Sequence, residues 1–77
     1  MKKYNKENLV FSRKESKNEY LIYSAVTRGV HLMPRIVWKF WNNCNNKSIE
    51  ELQKKLDLSE KEARTILNML ISRKLIK

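Results

Sequence analysis

Few side chains in this chain could take part in chemistry, and they are scattered. His31 is the single histidine and Cys44 the single cysteine. A general base needs a nucleophile or carboxylate within hydrogen-bond reach, and His31 sits among Gly29, Val30, Leu32 and Met33 with no such partner in view. One cysteine excludes an internal disulfide, and one His with one Cys is too few soft ligands for a structural zinc site. A chain of 77 residues also has too small a core to hold both a fold and a deep catalytic pocket. The sequence therefore predicts no catalytic residue, no metal and no cofactor. What remains is recognition, by charge, by apolar surface or by backbone.

The formal net charge of +9 points to an acidic partner. It is dispersed: +4 up to Arg28, +2 from Gly29 to Asp57 and +3 from Leu58 onward. A dispersed excess does not by itself distinguish nucleic acid, an acidic peptide or a membrane surface. The hydrophobic share of 42 % is too high for a disordered chain. Only Leu9, Val10 and Phe11 follow the charged start before polar sequence resumes, too short a run for a signal peptide, so the expected setting is cytoplasmic without membrane association.

The elements that must position any binding surface fall into two halves of different period. Leu9–Phe11, Tyr20–Tyr23 and Val30–Met33 are short runs rich in β-formers and predict three strands. Lys14 to Asn18 is a polar turn, and Thr27-Arg28-Gly29 places glycine where a tight hairpin needs positive φ. Pro34 ends the third strand and suits the first turn of a helix. Ile36, Val37, Phe40, Trp41 and Cys44 then form one apolar helical stripe, closed by the polar run Asn42 to Asn46. Trp38 lies off this stripe and is expected at the surface. Phe40 and Trp41 are expected in the core rather than as a base-stacking platform.

Ser48-Ile-Glu-Glu51 and Ser59-Glu-Lys-Glu62 are both S-x-x-E capping boxes and mark two further helix starts. The second helix spans roughly 49–56, with Ile49, Leu52 and Leu56 inward. The third spans about 60–73, with Ala63, Ile66, Leu67, Leu70 and Ile71 on one arc, and Leu75 and Ile76 folding back over the core. The expected architecture is α+β, a winged-helix-like βββααα: a three-stranded antiparallel sheet (9–33) on a three-helix bundle (34–77) containing a helix-turn-helix jointed at Asp57-Leu58. Residues 1–8, with Lys2, Lys3 and Lys6, read as a flexible basic tail.

A helix-turn-helix in a small basic protein suggests a DNA-binding regulator, and this is the alternative reading. Three features argue against it. The would-be recognition helix opens with Glu60 and Glu62, which oppose a polyanion. The hairpin precedes the helices, whereas a wing normally follows the recognition helix. Lys61, Arg64 and Arg73 point in different directions instead of lining one phosphate track.

Three strands followed by such a bundle, with NEYLIYSAVTRGVHLMP leading into an aromatic helix and then NNKSIEELQKKLDLSEKEARTILNMLISRKLI, resembles the PqqD-like domains. These are also called RiPP recognition elements, after ribosomally synthesised and post-translationally modified peptides. The resemblance covers about 9–76. It implies that the leader segment of a precursor peptide adds as a strand to the free edge of the third strand. Apolar leader residues would enter a groove between that strand and the third helix, and a partner enzyme would then modify the peptide. The strand order itself leaves the third strand unpaired on one side, as strand addition requires.

The expected site is Gly29, Val30, His31, Leu32 and Met33 on the strand, with Ala63, Arg64, Ile66, Leu67, Leu70 and Arg73 on the helix. Val30 and Leu32 share one face, expected to be core with a contribution to the groove, while His31 and Met33 take the other. Ala63, Leu67 and Leu70 lie mid-arc and read as core. One helix margin carries Ile66, with Met69 and Arg73 beyond it, and the other carries Ile71 and Arg64. Either could line the groove, with Ile66 and Arg73 preferred. The expected ligand is an acidic peptide whose apolar residues alternate with polar ones.

Overall fold

Two capping boxes set the helical half of the molecule. In the computed structural model, which describes residues 2–77, Ser48 and Ser59 each accept from the backbone N–H three residues on. Glu51 and Glu62 accept in return from the serine N–H groups at 3.0 Å. Helices α2 (Ile49–Leu56) and α3 (Glu60–Ser72) start at these caps. Asp57 closes α2 in the left-handed conformation, φ 54°, making the tight joint expected between them.

Three strands precede the bundle and form one antiparallel sheet in chain order, β2 (Val10–Lys14), β3 (Glu19–Ser24) and β4 (Val30–Pro34). Helix α1 (Arg35–Asn42) follows directly. The fold is α+β with strands before helices, as the periodicity predicts. No described helix is long and apolar enough to cross a membrane. The core gathers Ile22 and Met33 from the sheet, Val37, Phe40 and Trp41 from α1, Leu52 from α2, and Ala63, Ile66, Leu67 and Leu70 from α3, sealed by Leu75 and Ile76.

Several expectations are corrected. Tyr4–Asn5, expected within a basic tail, form a strand, β1, paired with β5 (Asn45–Lys47) inside the expected polar loop. The reason is a backbone clamp: Asn5 exchanges two 2.8 Å bonds with Lys77, and its Oδ1 accepts from Asn46 N–H. Tyr4 packs against the core. Met1 lies outside the described residues.

The hairpin residue with positive φ is Arg28 (60°), not Gly29. A Cβ at Gly29 would meet only side-chain ends, His31 Nε2 at 2.9 Å and Thr27 Oγ1 at 3.3 Å. Pro34 occupies the N-cap of α1 rather than its first turn.

Trp38 is half-buried rather than exposed, because α1 lies against the inner sheet face. Its ring stacks on Tyr20 at 4.0 Å and its Nε1–H donates to Ser12 Oγ. Ile36 and Ile71, expected inward, are exposed. Both sit at arc margins that no neighbouring element covers.

Candidate functional site

The sheet has two faces, and the strand register assigns every side chain to one of them. Tyr23 faces Val30, Leu21 faces Leu32, and Phe11 faces Tyr23. Ile22 and Met33 are buried on the inner face, so Val30 and Leu32 point outward, 65 % and 55 % exposed. This reverses the expected phase of β4: His31 and Met33 face the helices, and Val30 and Leu32 face solvent. Both alternating sets in this strand contain apolar residues, so the pattern along β4 cannot choose between them. The covering helix chooses, because α1 leaves the strand on the Met33 side.

The backbone of β4 follows from two bonds that bracket its ladder. Ser24 N–H donates to Gly29 O at 3.0 Å and Arg35 N–H donates to Asn18 O at 2.8 Å. Facing pairs in an antiparallel ladder alternate between bonded and non-bonded. The bonded pairs are therefore Ile22–His31 and Tyr20–Met33, while Val30, Leu32 and Pro34 aim their backbone groups away from β3. The free edge of β4 offers two N–H donors, those of Val30 and Leu32, and Pro34 has none to leave unpaired. His31 and Met33 contribute no backbone donor to it.

The opposite edge, on β2, is also unpaired, but it is blunted by Lys14 and by an Arg13–Glu15 ion pair close by. On the β4 side of the sheet, α3 reaches β4 through Arg73. The Arg73 guanidinium lies 3.8 Å from Met33 Sδ. Towards the start of α3, Ile66 and Ile36 line one open cleft of about 300 Å³ with Leu58, Lys61, Glu62 and Thr65. Helix α3 thus meets β4 at Arg73 and the start of α1 at Ile66, and Ile66, Met69 and Arg73 share one stripe at i, i+3 and i+7. Ile66 on this stripe is itself buried, 8 % exposed, Met69 is half-buried against the core, and Ile36, absent from the expected set, lines the cleft.

The remaining expected residues divide. Ala63, Leu67 and Leu70 are core and support the groove from beneath. Arg64 is exposed and held by Glu60 in an i,i+4 pair at 3.1 Å. Gly29 lies beside the His31 ring at the start of the strand. Burial, with a smaller contribution from the Arg73 charge, holds the His31 imidazole below its ordinary pKa. His31 is neutral at physiological pH and brings no cation to the edge.

Charge around the β4 edge is mostly positive, while the cleft carries Glu62 as well as Lys61. Among the described residues the ion-paired cations are Lys3, Arg13, Arg64 and Lys77. Arg28 and Arg35 at the two ends of β4, Arg73 over Met33, and Lys61 in the cleft are in no ion pair. The arrangement offers a short hydrogen-bonding edge, an apolar margin and a cationic surround. Such an arrangement can hold an extended peptide.

Comparison of the chain with protein-family models, with curated proteins and with solved structures finds no match.

Proposed function

We propose that this chain is a stand-alone peptide-binding protein that takes the leader segment of a ribosomally made precursor as an added strand on β4 and presents it to a modifying enzyme. It performs no chemistry itself and works in the cytoplasm. The observation that carries the reading is the open edge of β4, near which Arg73 of α3 reaches Met33. Main-chain bonds to an added strand supply affinity without regard to sequence, and the flanking groove supplies selection. The cations around it favour a leader with Asp or Glu beside its apolar anchors.

Calorimetry with leader peptides encoded beside this chain, set against mixed-sequence duplex DNA at physiological salt, tests the reading. Micromolar or tighter peptide affinity is expected, with only weak, salt-sensitive binding to DNA. Tight, sequence-selective DNA binding without peptide affinity would replace it with the regulator reading.

A further inference from the structure

We infer that the ligand strand is apolar on both of its faces, so that its central residues form a consecutive apolar run flanked by acidic residues. This rests on the peptide-binding reading and changes what the ligand must look like. A strand added to β4 turns alternate side chains inward, to the sheet face where Arg73 of α3 meets Met33, and the others outward, beside Val30 and Leu32. An edge strand with a solvated outer face ordinarily shows polar residues there. Here Val30 and Leu32 are 65 % and 55 % exposed.

Their other flank is already apolar. Leu21 faces Leu32, Tyr23 faces Val30, and the Phe11 ring lies 5.6 Å from the Tyr23 ring. The outer face therefore carries an apolar ladder, Phe11–Tyr23–Val30, that runs up to the open edge and stops. Leu21–Leu32 makes a second, shorter rung. An added strand with apolar outward residues extends both rungs by one place. Polar outward residues would leave Val30 and Leu32 half-covered beside groups that gain nothing from them.

A second copy of this chain fits the edge less well, because each copy carries a net charge of +9. Arg28 and Arg35, in no ion pair at the two ends of β4, call instead for carboxylates at both ends of the run. The occupant is an acidic-flanked peptide strand, apolar at successive positions, with one anchor set in the groove and the other on the outer ladder.

A phage-displayed library of short random peptides, panned against the intact chain, supplies the probe. The enriched peptides are expected to carry uninterrupted apolar runs between acidic residues. Their synthetic versions should bind Val30→Thr/Leu32→Thr on the order of tenfold more weakly, as loss of two cross-strand apolar pairs implies. Phe11→Thr, on the same face but two strands from the edge, should change affinity less than about twofold, since its neighbours lie beyond the ligand's reach. Threonine keeps strand propensity at these exposed positions, and unchanged thermal melts confirm the fold. Enriched peptides that alternate apolar with polar residues and bind the double variant as tightly as the parent would overturn this inference while leaving edge binding intact. Failure to enrich any peptide, or enrichment of peptides indifferent to Leu32→Pro, would remove the peptide-binding reading and this inference together.

Discussion

Two neighbouring proline substitutions separate the inner and outer backbone edges of β4. His31 N–H lies in a bonded pair with Ile22, whereas Leu32 N–H faces the open edge. His31→Pro therefore deletes a ladder bond and strands the Ile22 carbonyl, whose residue is fully buried. Leaving a buried partner unsatisfied costs about 1–3 kcal/mol, to which the loss of the half-buried imidazole adds. A chain of this length has a total stability of roughly 4–11 kcal/mol, and each kcal/mol moves the midpoint by about 4–8 °C. His31→Pro should lower Tm by about 10 °C or more, or prevent folding. Leu32→Pro removes a donor that the free protein does not use, and proline is tolerated where its missing N–H faces outward. Its Tm should fall by only about 4–8 °C, from strain and lost side-chain contact. Its peptide affinity should drop on the order of 10–100-fold, because the incoming strand meets a ring in place of a donor and one of its carbonyls goes unpaired. Differential scanning fluorimetry with calorimetry on both variants reads the contrast. Equal destabilisation by the two prolines, or full peptide affinity in folded Leu32→Pro, refutes the assignment of the edge.

Three further outcomes follow from single contacts. Ser48 is fully buried and Ser59 exposed, so Ser48→Ala should cost about 1–2 kcal/mol and Ser59→Ala nearer 0.5–1 kcal/mol in urea unfolding. Backbone donation from Ser48 and Ser59 holds Glu51 and Glu62 below the usual carboxylate range. The folded-state pKa is the lower one, so this support is complete above the unfolded pKa near 4.3 and is lost as pH falls through the folded values. Acid titration of Glu51→Gln and Glu62→Gln, which remove the titrating carboxyls, should show a shallower loss than the parent. Burial pushes the Cys44 thiol up to about 12, and the native protein should resist a thiol-reactive chromogen at pH 8 while the urea-unfolded chain reacts at once. Ile66→Val should weaken peptide binding more than Arg73→Ala at physiological salt, because a groove anchor outweighs an exposed charge worth about 0–1 kcal/mol. Titrations across a salt series check this, and abolition of binding by a moderate salt increase would point to a polyanion ligand instead.

The helical half and the element order were legible in the residues because their signals are local. A serine oxygen and a glutamate three residues later satisfy backbone groups within one turn, so Ser48 and Ser59 mark helix starts whatever surrounds them. Leu75 and Ile76 were legible as core since two adjacent apolar residues after a helix have few other places to go. The phase of β4 was not legible, for Val30, Leu32 and Met33 put apolar side chains on both faces. Only the direction in which α1 leaves Pro34 decides which face is covered, and a reversal of phase moves a whole set of side chains from core to solvent. Pairing of β1 with β5, and of Asn5 with Lys77, joins segments far apart in the chain through backbone groups that every residue possesses. No residue type announces such a contact. The candidate site is of the same kind: Met33, Ile36, Ile66 and Arg73 each look ordinary in sequence, and only the packing of α3 brings Arg73 to Met33 and Ile66 to Ile36.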